Sequence, residues 1–316
     1  MMGTGPFAVP TFEALLDSHH NVVALITRPA VPAPGKHKPP PRPMYAVAER
    51  RGLPIFEPAS INSPEAHQIL KSLAADLFVV CDYGQILSAE TLALARLGGV
   101  NLHASLLPKY RGAAPINWAL YHGEQETGVT VIHMTPRLDA GPSLVQRKTA
   151  IEPQEDAVAL EQRLAQLGVG AVQEAIAMLA AWDGQSPIGE RQDPALATKA
   201  PRLKKADGEV DWSRSAVQIA NQVRALKPWP GTFTHWIRSG QPPLRLILDA
   251  VTPLPQQPTN AQPGEILASG PQHLHVATGD GVLSIDRVQP AGKRVMDIAE
   301  FLRGHEVRPG ERLGSV

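Results

Sequence analysis

The chain has few cysteine and aromatic residues, no excess of charge of either sign and no long apolar run. Its only cysteine, Cys81, excludes a disulfide framework and a cysteine-based zinc site, and is typical of a reducing compartment. Aromatic residues make up 5%, which argues against a platform that stacks single-stranded nucleic acid. Because 30 basic residues balance 30 acidic ones, no global field attracts nucleic acid, and a protein that coats it is excluded.

Signals for membranes, secretion and metals are also missing. Every apolar run is shorter than the about 18 residues of a membrane-spanning helix. The first six residues contain no basic region followed by an apolar stretch. The 11 histidines show no metal-ligating spacing. We therefore predict a cytoplasmic protein that needs no metal and no membrane.

A regular alternation of strands and helices occupies the first half of the sequence. Short apolar runs that predict buried strands lie at residues 22–26, 76–81, 99–102 and 129–132. Helical patterns lie at residues 7–18, 44–51, 64–73 and 113–121. Strands that are apolar on both faces and separated by helices predict a parallel sheet in an α/β domain.

The pattern changes after residue 182, and 316 residues are enough for two domains. A long amphipathic helix is predicted over 156–181, and a stretch punctuated by prolines follows it. We predict a first domain over 1–182, a linker over 183–206 and a second domain over 207–316. Short β-like runs with Pro and Gly turns predict a small barrel in the second domain. Residues 201–316 are mildly cationic, with 14 basic and 11 acidic side chains.

The segment Gly3–Ala8 matches the G-x-G-x-x-[GA] pattern of dinucleotide-binding proteins. That pattern requires a preceding strand and an acidic residue about 20 positions later, and the sequence predicts neither. Arg28 stands near that position and could pair with the phosphate of NADP. An NADP-linked reductase is therefore kept as an alternative function, beside a plain tight turn that starts a helix.

The richest segment chemically is Asn101–Pro115, which follows a predicted strand. Asn101 and His103 are two residues apart and point to the same side of that strand. An amide beside an imidazole can stabilise an oxyanion and transfer a proton. Asp139, after the next strand, is expected at the same sheet edge, where it could face His103, although it could equally cap a turn. A serine hydrolase built on Ser105 is disfavoured, because His103 is too close along the strand to act as its base.

The Asn101–Pro115 segment resembles the active-site segment of the formyltetrahydrofolate-dependent formyltransferases, and the similarity covers nearly the whole chain. The other motifs that carry it are Gly3-Thr4 with Phe7–Pro10, Asp82–Leu87, Gly128–Gly141, Asp211–Ser213, Lys227–Gly231 and Gln289–Lys293. The resemblance implies a Rossmann-like domain that binds 10-formyltetrahydrofolate, followed by an OB-like barrel that contacts tRNA. The C-terminal motifs resemble members that formylate the α-amino group of methionyl initiator tRNA for translation initiation. They count against a sugar-nucleotide formyltransferase and a formyl-folate hydrolase, while the Asn101, His103 and Asp139 set counts against a non-catalytic tRNA-binding protein.

The resemblance also implies roles for individual residues. Asn101, His103 and Asp139 take the catalytic positions. The residues expected at the folate are Ser105, Leu106, Leu107, Pro108, Ile86 and Leu87. The Pro-rich segment 28–43 takes the place of a loop that reaches the tRNA acceptor stem, although its composition alone predicts a solvated loop. The cations expected at tRNA are Lys36, Lys38, Arg42, Arg202, Lys204 and Lys205. No obligate protein partner is implied.

The first strand of a Rossmann-type sheet lies in its centre, yet no apolar run precedes the Gly3–Pro6 turn. Without that strand, two inner sheet edges would lack hydrogen-bond partners. We therefore expect that the natural protein carries about six to ten more residues upstream, including a short strand that fills this position, as strand lengths allow. The alternatives are that another segment fills the gap or that the fold leaves it open.

Overall fold

The computed structural model describes residues 1–30, 40–238, 240–254 and 260–315, which group into two units. The first unit comprises Met1–Pro115, Glu126–Ile151 and Ala159–Pro201. The second comprises Ile116–Gln125, Glu152–Val158 and Arg202–Val316. Residues 183–201, the larger part of the predicted linker, thus group with the first unit.

A seven-stranded sheet forms the first unit. Its strands in chain order are β1 (Met2–Gly3), β2 (Leu25–Ile26), β3 (Ile55–Phe56), β4 (Phe78–Cys81), β5 (Gly99–His103), β7 (Glu126–His133) and β8 (Ser143–Ala150). A separate pair consists of β6 (Arg111–Gly112) and β9 (Lys199–Ala200), which run parallel. The order β3-β2-β1-β4-β5-β7-β8, parallel from β3 to β5, confirms the predicted Rossmann-like arrangement. Strands β7 and β8 are antiparallel to their neighbours, which the prediction of a purely parallel sheet missed.

Strand β1 holds the central position of the sheet with two residues. Met2 pairs with Ile26 of β2 and with Val80 of β4, and Gly3 pairs with Cys81. The expectation that no strand precedes the Gly-rich turn is therefore wrong.

The helices begin where the sequence supplies caps. They are α1 (Val9–Leu16), α2 (Pro43–Arg50), α3 (Pro64–Leu73), α4 (Ala89–Leu92), α5 (Pro115–Tyr121), α6 (Ala157–Ala180), α7 (Ala216–Ala225) and α8 (Ile298–Gly304). Helix α3 starts with Pro64 after Ser63, whose hydroxyl accepts a hydrogen bond from the amide of Ala66. Ser215 and Gln218 form a capping box at the start of α7. No helix among the described residues is both long and apolar enough to cross a lipid bilayer.

The second unit is an antiparallel, nearly closed barrel. Its strands are β10 (Thr232–Ile237), β11 (Leu244–Leu254), β12 (Ile266–Ser269), β13 (Leu274–Ala277), β14 (Val282–Pro290), β15 (Met296–Asp297) and β16 (Arg312–Gly314). Six of them follow the order β12-β13-β14-β11-β10-β16, and β15 pairs with β14 beside that path. A bridge between Glu265 and Arg312 brings the two ends together. The barrel encloses a core that includes Trp212, Trp236 and Phe301. This arrangement agrees with the OB-like barrel that the sequence predicts.

Candidate active site

Three polar side chains gather at β5, where buried polar groups require partners. His103 and Asp139 are 6% and 9% exposed, and Asn101 is half-buried. The Asn101 amide Nδ2 donates a hydrogen bond to Asp139 Oδ1 at 3.4 Å, and His103 Nδ1 lies 3.8 Å from Asp139 Oδ2. The structure thus brings together the three residues to which the sequence assigned catalytic positions.

Asp139 reaches this cluster by a different path from the predicted one. Because β7 runs antiparallel to β5, its end at His133 pairs with Val100 rather than lying beside His103. The following loop is closed at its base by a hydrogen bond of 2.9 Å from the His133 amide to the Pro142 carbonyl. A Cβ atom at Gly141 would overlap the carbonyl oxygen of His133, so this closure requires glycine. Asp139 does not share a sheet edge with His103 but is carried back to it by the loop.

The tautomer of His103 follows from its partners. Its Nε2 lies 2.9 Å from the carbonyl oxygen of Tyr110. A carbonyl oxygen only accepts hydrogen bonds, so we assign the proton of the neutral ring to Nε2. Nδ1, the nitrogen nearest Asp139, then carries the lone pair. This lone pair is the group that could act as a general base.

The Asp139 carboxylate is held on both oxygens. Oδ2 accepts a hydrogen bond of 2.9 Å from the backbone amide of Gly112, while Oδ1 accepts the one from Asn101. An asparagine amide has two N–H groups, so Asn101 can donate the second to a substrate oxygen. The site therefore combines a hydrogen-bond donor, a titratable ring nitrogen and an oriented carboxylate, which suit acyl transfer through an oxyanion.

The residues expected at the folate have unequal exposure. Leu87 is fully buried, Leu107 is 5% exposed, and Ile86 is 55% exposed. Leu106 and Pro108 are half-buried. Ser105 is also fully buried, and its hydroxyl donates to the Lys109 carbonyl at 2.7 Å, so its proton is directed at the main chain and orders the following turn.

Asp82 faces the Gly-rich turn of the dinucleotide pattern. A strand, β1, does precede this turn, but a Cβ atom at Gly5 would overlap Asp82 Oδ2, so a carboxylate lies where a phosphate would be required. Burial raises the pKa of Asp82 to about 6, although the charge of Arg28 and a hydrogen bond from Gly5 lower it. Since Arg28 interacts with Asp82, the geometry argues against the NADP-linked alternative.

The cations expected at tRNA fall into three groups. Lys36 and Lys38 lie outside the described residues. Arg42 forms an ion pair with Glu57, and its guanidinium lies 4.1 Å from the centre of the Tyr45 ring. Arg202, Lys204 and Lys205 lie in the second unit and are exposed.

Several residues that shape the site were missed by the sequence analysis. The Thr198 hydroxyl accepts a hydrogen bond of 2.8 Å from the Tyr110 amide. The Thr130 hydroxyl donates to the Ser105 carbonyl and accepts from the Leu107 amide. Gln192 contacts both loops around Asp139. Thr198 and Gln192 stand in no motif, and Thr130 lies within the Gly128–Gly141 motif without an assigned role, because each acts on main-chain groups far away in sequence.

Among the described residues, no group of three or more His, Cys, Asp or Glu side chains could hold a metal ion. The polar groups at β5 are paired with each other and with main-chain atoms.

Comparison with known proteins identifies relatives over the whole chain. A family model described as Formyl transferase matches residues 1–176, and one described as Formyl transferase, C-terminal domain matches residues 202–306. A methionyl-tRNA formyltransferase from Rhodopirellula baltica is 47% identical over 99% of this chain and 95% of its own length. One from Geobacter sulfurreducens is 42% identical over 99% of this chain and 95% of its own length.

A solved structure shares the fold at low sequence identity. It is the N-formyltransferase from Helicobacter canadensis in complex with folinic acid and dTDP-3-aminofucose. The TM-score is 0.65 and the identity 15%, over 91% of this chain and 98% of that chain. The fold comparison and the family matches agree, and the resemblance seen in the sequence motifs is confirmed. The chain belongs to the formyl transferase family and, within it, to the methionyl-tRNA formyltransferases.

Proposed function

We propose that this protein transfers the formyl group of 10-formyltetrahydrofolate to the α-amino group of methionyl initiator tRNA. The observation that carries the proposal is the cluster of Asn101, His103 and Asp139, in a chain 47% identical to a methionyl-tRNA formyltransferase. An amide donor, a titratable ring and a held carboxylate are the groups that transfer of an acyl group to an amine requires.

The reaction joins one nitrogen to the formyl carbon and releases another. The neutral α-amine attacks, the carbonyl oxygen becomes an oxyanion, and the bond from the carbon to N10 of the folate then breaks. Asn101 donates a hydrogen bond to the oxyanion, and so does His103 when Nδ1 is protonated. Asp139 stabilises the charged ring and, through a water molecule, passes the proton lost by the amine to the leaving nitrogen.

Each of these contributions has a typical size. One oxyanion donor is worth about 10²–10³ in rate. Acid–base transfer contributes about 10²–10⁴. The reaction as proposed transfers no electrons, so it does not need a nicotinamide.

The substrates bind through different parts of the chain. The folate pterin is assigned to an apolar pocket formed by Ile86, Leu87, Leu106 and Leu107, next to Ser105 and Pro108. The cations Arg42, Arg202, Lys204 and Lys205 are assigned to tRNA phosphates, together with Lys36 and Lys38. We expect the protein to work in the cytoplasm, without a membrane or an obligate protein partner.

The proposal is tested by offering one formyl donor to several acceptors. Purified protein and 10-formyltetrahydrofolate are mixed with methionyl initiator tRNA, with a dTDP-amino sugar, or with neither. Formylation of the tRNA alone is the expected result. Formylation of the sugar, or release of formate without an acceptor, would overturn the assignment in favour of a sugar-nucleotide formyltransferase or a formyl-folate hydrolase.

A further inference from the structure

Gln192 makes four hydrogen bonds within the stretch predicted as a linker. Its Nε2 donates to the carbonyl oxygens of Asp139 at 2.9 Å and of Gly141 at 2.7 Å. Its Oε1 accepts from Arg111, from Nε at 3.1 Å and from Nη2 at 2.6 Å. One half-buried amide thus spans two loops that are far apart in sequence.

The first of these loops carries Asp139 in an unusual conformation. Asp139 has φ +48°, in the left-handed region of backbone conformation that residues other than glycine rarely adopt. Such a conformation persists only where surrounding contacts hold it. Both N–H groups of the Gln192 amide are bound to this loop, one to the Asp139 carbonyl and one to the carbonyl two residues later.

The second loop supplies a hydrogen bond to the same carboxylate. Arg111 immediately precedes Gly112, whose backbone amide donates to Asp139 Oδ2 at 2.9 Å. The Arg111–Gly112 strand pairs with Lys199–Ala200, a few residues after Gln192. The segment around Gln192 therefore fixes the main chain that carries Asp139 and the main chain that binds its carboxylate.

We propose that Gln192 is a positioning residue for the formyl-transfer step, because it sets the place of the Asp139 carboxylate relative to His103. The inference rests on the proposed function and concerns the same site. Gln192 touches no reacting atom and acts through Asp139. Its removal should slow the chemical step while the binding of both substrates stays nearly unchanged.

Three substitutions separate the two ends of the Gln192 side chain. Gln192→Ala removes all four hydrogen bonds, and Gln192→Met removes the amide while keeping an unbranched chain of similar volume. Gln192→Glu keeps an acceptor for Arg111 but loses both N–H donors to the Asp139 loop. Gln185→Ala, at an exposed amide in the same segment, is the matched control.

Formylation kinetics give the first readout. All three Gln192 variants should lower kcat by about 10- to 100-fold, as expected for a small displacement of a reacting group. KM for the folate and the Kd for tRNA should change less than about twofold, as should every parameter of the control. In an Asp139→Ala background, Gln192→Glu should cost nothing further, because residues that act through one another are not additive. Near-normal kcat in Gln192→Glu, or additive losses in the double variant, would overturn the proposal.

A second readout does not depend on the reaction. Hydrogen exchange of the backbone amides at 137–141, followed by mass spectrometry, should be at least about tenfold faster in Gln192→Glu than in wild type. Unchanged exchange there would also overturn the positioning role. If the wild type forms no formyl-methionyl tRNA, the proposed function fails, while the exchange measurement still decides whether Gln192 holds the loop. Thermal melts of every variant show whether the fold is intact.

Discussion

At the scale of single residues, the geometry at β5 makes three side chains depend on one another. Asn101→Ala, His103→Ala and Asp139→Ala should each lower turnover by at least about 10²-fold. The first substitution removes the amide donor and the second removes the imidazole ring. The third removes the carboxylate that lies next to both of these side chains. Steady-state formylation assays with purified variants measure the loss, and thermal melts check the fold. A variant that retains near-normal turnover would show that its residue lacks the assigned role.

Asp82 gives a prediction about stability and pH. Burial raises its pKa to about 6, whereas aspartate in an unfolded chain titrates near about 3.9. Between these values the native protein holds a proton that the unfolded chain has lost, so the free energy of unfolding falls as the pH rises from about 4 to about 6. Burial and, to a smaller extent, the carboxylate of Asp82 also raise the pKa of Glu161, which adds to the same trend.

Asp82→Asn removes this charge while keeping an oxygen that can accept the hydrogen bond from Gly5. The variant should therefore be more stable than the wild type above pH 6, and its stability should decline less between pH 4 and 6. Urea unfolding at a series of pH values measures both effects. Asp76→Asn, at an exposed carboxylate, is the control and should follow the wild type. If Asp82→Asn shows the same slope as the wild type, the charged form of Asp82 is not destabilised by burial.

At the scale of elements, helix α6 carries two glycines that have different surroundings. A Cβ atom at Gly168 would lie 2.5 Å from Leu102 Cδ2, on the strand residue between Asn101 and His103. A Cβ atom at Gly170 would meet nothing within 4 Å. Glycine is therefore needed at position 168, where the helix packs closely against β5. At position 170 it only weakens the helix.

Matched substitutions test this difference within one helix. Gly170→Ala should stabilise the protein by about 0.5–1 kcal/mol, because alanine loses less conformational entropy in a helix. Gly168→Ala should destabilise it by about 1–3 kcal/mol through overpacking against Leu102, and should also lower turnover by displacing β5. Chemical denaturation and formylation assays give both quantities. Equal effects at the two positions would contradict the close packing of α6 on β5.

The elements also show how far sequence patterns predict this fold. Strand β4 and helix α6 were predicted because a continuous apolar run between polar residues and a sustained helical periodicity are strong signals. The two residues of β1 are too few to form a pattern, and an apolar run does not show that β7 is antiparallel. Gln192 lies in a polar stretch that is typical of a linker. Its role could not be predicted, because two of its partners are main-chain carbonyls 51 and 53 residues away in sequence. Motif residues were therefore predictable, while the residues that orient them were not.

At the scale of the whole molecule, the balance of 30 basic and 30 acidic residues leaves no net charge. Under the proposed function, attraction to tRNA then comes from local groups of cations. The pairs we assign to it are Lys204 with Lys205 in the second unit and Lys36 with Lys38 in the Pro-rich segment. Each cation that binds a phosphate releases a counterion, so its contribution appears in the salt dependence of binding.

Neutralising these cations should therefore reduce the slope of log K against log salt concentration for tRNA binding. Lys204→Gln with Lys205→Gln, and separately Lys36→Gln with Lys38→Gln, should each lower the slope by about 0.7–0.9 for every phosphate that is no longer neutralised. Lys148→Gln is the control, because Lys148 already pairs with Glu126 at 3.3 Å and has no assigned role at tRNA. Filter binding at several salt concentrations gives the slopes. An unchanged slope for the Lys36 and Lys38 variant would mean that the Pro-rich segment is a solvated loop that does not bind tRNA. An unchanged slope for the Lys204 and Lys205 variant would mean that these two cations do not bind tRNA phosphates.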